Sequence, residues 1–135
     1  MKMNMDMFTL KLDKNISLEK SNAEYINPCC TNCDVILNLV KPQIQNLFPN
    51  SNLEIDQEDW GWYLIFNKDE FVYNLHLSFY DELSSADEYL FYSFVKKKTK
   101  KFLVTIKSDD VVESNKFQEL IKPIFSNLGL VSLNN

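Results

Sequence analysis

The sequence predicts an α+β domain: a four- or five-stranded antiparallel meander sheet with two helices packed on one face. Three observations predict it. Between residues 60 and 107, four aromatic-rich runs alternate with period two and are separated by polar connections, the pattern of strands joined in succession. Apolar residues recur at helical spacing over 32–48 and again over 117–128, which gives two amphipathic helices. A length of 135 residues, 45% hydrophobic and 13% aromatic, suits one domain with an ordinary core.

Residues 1–28 read as a poorly structured arm or edge strand. Within them Phe8, Leu10 and Leu12 alternate with Thr9 and Lys11, consistent with one short strand. The α+β core then occupies 29–135. The first helix carries a stripe of Cys33, Ile36, Leu37, Val40, Ile44, Leu47 and Phe48. Thr31 is its expected N-cap, and Asp34 places a carboxylate in the positive first turn. Pro42 removes one backbone donor, so the helix is expected to bend or divide there. Pro49 and the Asn50-Ser51-Asn52 run end it.

Residues 53–55 add a short strand. In the first long strand Trp60, Trp62, Leu64 and Phe66 share one face, with Gly61, Tyr63 and Ile65 on the other. Asn67-Lys68-Asp69-Glu70 has turn composition. Phe71, Tyr73, Leu75, Leu77 and Phe79 then line a core face against Val72, Asn74, His76 and Ser78. A longer acidic loop at 81–88 leads to a strand at 89–95, a lysine-rich loop at 96–101 and a last strand at 102–107. The second helix, capped by Ser114 or Asn115, has the stripe Phe117, Leu120, Ile121, Ile124, Phe125 and Leu128. Gly129 suits the left-handed position that closes a helix. Val40-Lys41-Pro42 with Asn46-Leu47 echoes Ile121-Lys122-Pro123 with Asn127-Leu128. Nothing flanking repeats, so similar packing of two helices explains it better than duplication.

Net charge is −5 and all fourteen basic side chains are lysines. A protein without arginine lacks the planar fork that reads phosphates, and direct nucleic-acid binding is not expected. No run approaches the roughly 20 apolar residues of a membrane span, and the N-terminus lacks the apolar core of a signal peptide. No membrane partner and a cytoplasmic location are the expectations. Cys29, Cys30 and Cys33 are too crowded for a disulfide framework, which agrees with a reducing compartment.

Few motifs carry chemistry. A C-x-x-C at a helix start suits redox work only after a hydrophobic strand in a βαβ unit, and zinc needs a second ligand pair; neither context is present. His76 is the single histidine. Ser78 lies on its face without a sharp nucleophile turn. No catalytic residue, metal site or cofactor is expected, and the chain reads as a non-enzyme. Trp60, Trp62, Tyr63, Tyr73, Tyr80, Tyr89 and Tyr92 mainly build a core, although a bare aromatic face would favour a homodimer or partner contact.

The charges suggest a partner. Alternate connections of a meander fall at the same end of the sheet. Asp56, Glu58 and Asp59, the loop acids Asp81, Glu82, Asp87 and Glu88, and the exit acids Asp109, Asp110 and Glu113 are therefore expected to share one pole. Lys68 and the 96–101 lysines would take the other. An acidic pole would steer and dock a basic protein such as a toxin, nuclease or nucleic-acid-binding protein. The function expected is thus a protein-interaction module, an acidic inhibitor or immunity-type protein of bacterial or phage kind. The alternatives are an acidic secretion-type chaperone holding a client on an exposed sheet face, or a small cysteine-based redox or zinc protein.

Overall fold

The computed structural model describes residues 6–11, 33–59, 61–79, 88–129 and 131–132. The elements in chain order are β1 (Asp6–Lys11), α1 (Cys33–Leu47), β2 (Glu54–Glu58), β3 (Gly61–Lys68), β4 (Phe71–Phe79), β5 (Glu88–Lys101), β6 (Val104–Asp109), α2 (Val111–Asn127) and β7 (Val131–Ser132). Strands β2 to β6 form the expected antiparallel meander in order of succession. β1 and β7 extend it to seven strands, with β1 pairing β5 and β7 pairing β1.

Alternation decides which face is dry. Trp62, Leu64 and Phe66 of β3, Tyr73, Leu75 and Leu77 of β4, and Tyr89, Phe91 and Val95 of β5 point to one side. Both helices cover that side, α1 through Cys33, Ile36, Leu37, Val40 and Ile44, and α2 through Phe117, Ile121, Ile124 and Phe125. Aromatic rings tie the layers together: Phe66 stacks on Tyr73 at 4.8 Å, Phe48 lies 4.7 Å from Phe66, and Phe117 meets Tyr73 edge-on at 5.1 Å. Rings at these separations add to the free energy of their burial. Gly61 has no room for a side chain against β4, since a Cβ there would run into the Leu77 carbonyl.

α1 is continuous through Pro42, and α2 through Pro123, so neither helix divides. The carbonyls that lose their donors belong to Asn38 and Glu119, both on exposed positions where water can serve them. Thr31 lies outside the described residues. Asp34 does occupy the first turn of α1. Gly129 closes α2 with φ 84° and donates to the Ser126 carbonyl at 3.0 Å, as expected.

The start of α2 differs from expectation. Asp110, not Ser114 or Asn115, is the cap, and its carboxylate accepts the Glu113 amide at 2.9 Å. Ser114 sits one turn inside, buried, because the sheet needs it. On its far edge β5 pairs β1 only up to Ser93 and β6 only from Lys96 onward. Val95 lies in the gap. The Ser114 hydroxyl accepts from the Val95 amide at 2.8 Å and donates to its carbonyl at 3.2 Å, and the Asp110 amide donates to that same carbonyl at 2.9 Å. One helical turn thus completes the interrupted edge.

The second difference is at the lysines. Lys96 to Lys101 are strand, not loop, and the turn falls at Phe102-Leu103. Lysine repeats lack alternation, and phenylalanine and leucine are strand formers, so the sequence gives no turn signal there. Phe102 adopts φ 53°, a left-handed conformation that a bulky side chain rarely takes. Asp69 also has a left-handed φ, 56°, in the β3–β4 turn, but Asp tolerates that region better.

Two stability measurements check these points by urea unfolding. Ser114→Ala leaves the buried Val95 amide without an acceptor and should cost about 1–3 kcal/mol; an unchanged midpoint would show that the amide finds another partner. Phe102→Asn removes no packing, because the ring is almost wholly exposed. It should raise stability by about 1 kcal/mol through relief of the left-handed strain, and a loss would show that the turn depends on the ring.

Candidate acidic interface

β2 is an edge strand, and its outer edge has no strand partner among the described residues. Its side chains alternate: Ile55 packs toward the core, whereas Glu54, Asp56 and Glu58 are exposed on the opposite face. Asp59 follows, also exposed. Glu54 and Asp56, with Ile55, Tyr63 and Ile65, line a depression of about 380 Å³. Burial pushes the Tyr63 hydroxyl above its usual pKa, and the charges of Asp56, Glu58 and Glu54 push it further. The field at this edge is negative.

The single pole expected of the meander divides in two. Register places Asp56 at the level of His76 on β4, through Tyr63, while Asp109 is level with Val72, through Lys96. That offset is roughly 13 Å along the strands, and four strand spacings add about 19 Å across the sheet. The cause is strand length. β5 overruns β4, and the shorter β6 returns only as far as Lys96, so Asp109 stops beside the lysines. Asp81, Glu82 and Asp87 lie outside the described residues. The backbone of Glu88 pairs with Lys11 at the Glu58 end of the sheet, and its side chain is not described.

Two of the exit acids hold the fold together. Asp110 caps α2. Glu113 accepts a hydrogen bond from the Tyr73 hydroxyl at 3.1 Å and pairs with Lys116 at 3.5 Å. Burial, reinforced by Glu113, pushes Tyr73 up to about 12. Glu54 joins the β2 row beyond the acids expected from the sequence; its alternation with Asp56 and Glu58 is present there, but shows only once the strand runs over Glu54–Glu58 and not 53–55.

The sheet face away from the helices carries the other chemical candidates. His76 and Ser78 line one shallow depression of about 230 Å³ with Leu90 and Tyr92. Among the described residues no carboxylate lines it. Tyr92 stacks near His76 at 5.6 Å, and Phe94 meets it edge-on at 5.0 Å. Burial lowers the His76 pKa to about 4, with Lys96 adding to the shift, so the imidazole is neutral at pH 7. Cys33 is a thiol with 0% exposure inside the core, the setting of an inert side chain. Cys29 and Cys30 lie outside the described residues. Among the described residues no cluster of His, Cys, Asp and Glu is placed to hold a metal, and no helix is long and apolar enough to cross a membrane.

Comparison with protein-family models, curated proteins and solved structures finds no match.

The His76 environment makes stability depend on pH. The folded-state pKa lies below the unfolded value of 6.5, so the unfolded chain takes up the proton first. Stability from this source is complete above pH 6.5 and falls as pH drops toward 4. Because the side chain is partly exposed, the loss should be about 1–2 kcal/mol rather than the full shift. Urea titrations of wild type and His76→Phe across this window should show a shallower acid slope in the variant; parallel slopes would place the proton uptake elsewhere.

Proposed function

We propose that the chain is a non-catalytic interaction protein that binds a basic protein partner through the acidic β2 edge. The observation that carries this reading is the row of exposed carboxylates, Glu54, Asp56 and Glu58 with Asp59 beyond, on a strand whose outer edge has no strand partner among the described residues. An open strand edge offers backbone donors and acceptors to an extended segment. Carboxylates at alternate positions add attraction for lysine or arginine at the matching spacing, raising the association rate more than the final affinity. A net charge of −5 supports long-range steering of a cationic protein.

An acidic inhibitor or immunity-type protein of a bacterium or phage fits this chemistry, with carboxylates occupying a cationic groove where substrate phosphates would bind. A reducing cytoplasm is the proposed setting, on the basis of cysteine usage. The acids at Asp109, Asp110 and Glu113 drop out of the contact surface in this reading. A second reading, a chaperone that holds a client on the sheet, draws on Tyr63, Ile65, Leu90 and Tyr92, which remain partly exposed on the helix-free face.

Immobilised protein should capture a basic protein from its source cells at low salt and release it at high salt. The triple variant Glu54→Lys, Asp56→Lys, Glu58→Lys should lose that capture while its unfolding free energy stays within about 0.5 kcal/mol, since all three side chains are exposed. Undiminished capture by the variant would rule out the β2 edge. Loss on changing Tyr63 and Tyr92 instead would favour the chaperone reading.

A further inference from the structure

We propose that the β5–β6 hairpin is a membrane-docking finger, which seats Phe102 and Leu103 in the interface of an anionic lipid bilayer while its lysines meet the headgroups. The reading is independent of the acidic edge and uses a different part of the sheet.

The hairpin leaves the body of the protein. β4 begins at Phe71, opposite Lys97, and the Lys98 amide still donates to the Glu70 carbonyl of the β3–β4 turn at 2.7 Å, so Thr99 to Lys101 are paired only with β6 and project about 10 Å as a two-stranded ribbon. At its tip Phe102 is 98% exposed and Leu103 97%. Val104 at 60% and Ile106 at 46% continue the apolar surface down one side of the ribbon. An isolated ribbon with no apolar cover has little to hold it, and a strained phenylalanine at the turn makes it less stable still. Residues that work against local stability point to a use outside the fold.

The charges identify the occupant. Lys96, Lys98, Lys100 and Lys107 share one face of the ribbon, with Lys97 and Lys101 on the other. Lys98 and Lys107 stand directly opposite each other, a repulsive cross-strand pair that an external anion would relieve. Among the described residues, only Lys97 of this group has a carboxylate within ion-pair distance, Glu70 at 3.7 Å. The β2 acids lie four strand spacings, about 19 Å, across the sheet from β6, beyond the Debye length of about 8 Å, so the tip is largely screened from them.

A convex apolar tip ringed by lysines matches a soft surface that turns apolar just beneath a layer of negative charge. Nucleic acid fits less well: leucine has no ring to stack, and the chain has no arginine. The expectation of no membrane partner rested on the lack of a spanning segment, and peripheral docking needs none.

The test is co-sedimentation of the full chain with vesicles of phosphatidylcholine and phosphatidylserine in about a two-to-one ratio. Phosphatidylcholine vesicles and free DNA serve as controls. Binding should require phosphatidylserine and weaken with salt. Phe102→Asn with Leu103→Ser should reduce partitioning roughly tenfold or more without lowering the urea midpoint. Serine at Lys98, Lys100, Lys101 and Lys107 should reduce it similarly and flatten the salt dependence. In Phe102→Trp, vesicle addition should shift emission to the blue. The proposal is overturned if anionic vesicles are not bound, if the tip variant binds as wild type does, or if DNA is bound in place of vesicles.

Discussion

The structure depends on how the far edge of β5 is shared. A strand of 14 residues offers more backbone donors and acceptors than one neighbour satisfies, and buried groups left unpaired are costly. β1 takes one end, β6 takes the other, and the first turn of α2 fills the gap at Val95 through Ser114 and Asp110. That junction fixes where α2 begins, directs Phe117, Ile121 and Phe125 onto the sheet, and sets Phe125 against Phe91 at 4.1 Å. The helix position satisfies a hydrogen-bond requirement of the sheet as well as a packing one.

The same sharing distributes the charges. Had β5 and β6 been of equal length, the exit acids would have returned to the end of the sheet where β2 closes on β3. Instead β6 stops at Lys96, and Asp109 is left beside the cationic hairpin. Acidic and basic surfaces therefore lie apart both across and along the sheet, the β2 edge on one margin and the hairpin projecting from the other, past the end marked by Lys68 and Phe71. A molecule arranged this way can present each charge to a separate partner without the two competing for space.

Much of the fold was legible because alternation and helical spacing both record burial. Leu64, Leu75, Ile36 and Ile121 fall where their periodicity puts them, and the order of strands β2 to β5 follows from the polar connections between them. Three features were not legible. The lysine run has the composition of a loop, because six polar residues in a row look alike whether they border water as a strand or as a coil. Ser114 is a residue type that suits a cap, and only the distant gap at Val95 gives it its actual role. The division of the acids depends on relative strand lengths, which a shift of a few residues at the β5–β6 turn alters, and no local signal marks that turn. Glu54 was lost for a related reason: a strand boundary misplaced by two or three residues conceals half of an alternating row.

The pairing of β1 with β7 brings Lys11 beside Val131, joining the two most widely separated strands in the sequence. Contacts of such long range are entropically expensive to form and slow a folding reaction dominated by them. During synthesis the meander and α1 can assemble as the chain emerges, yet this last seam has to wait until residue 131 has left the ribosome. Until then that margin of β1 stays open to pairing with a neighbouring nascent chain.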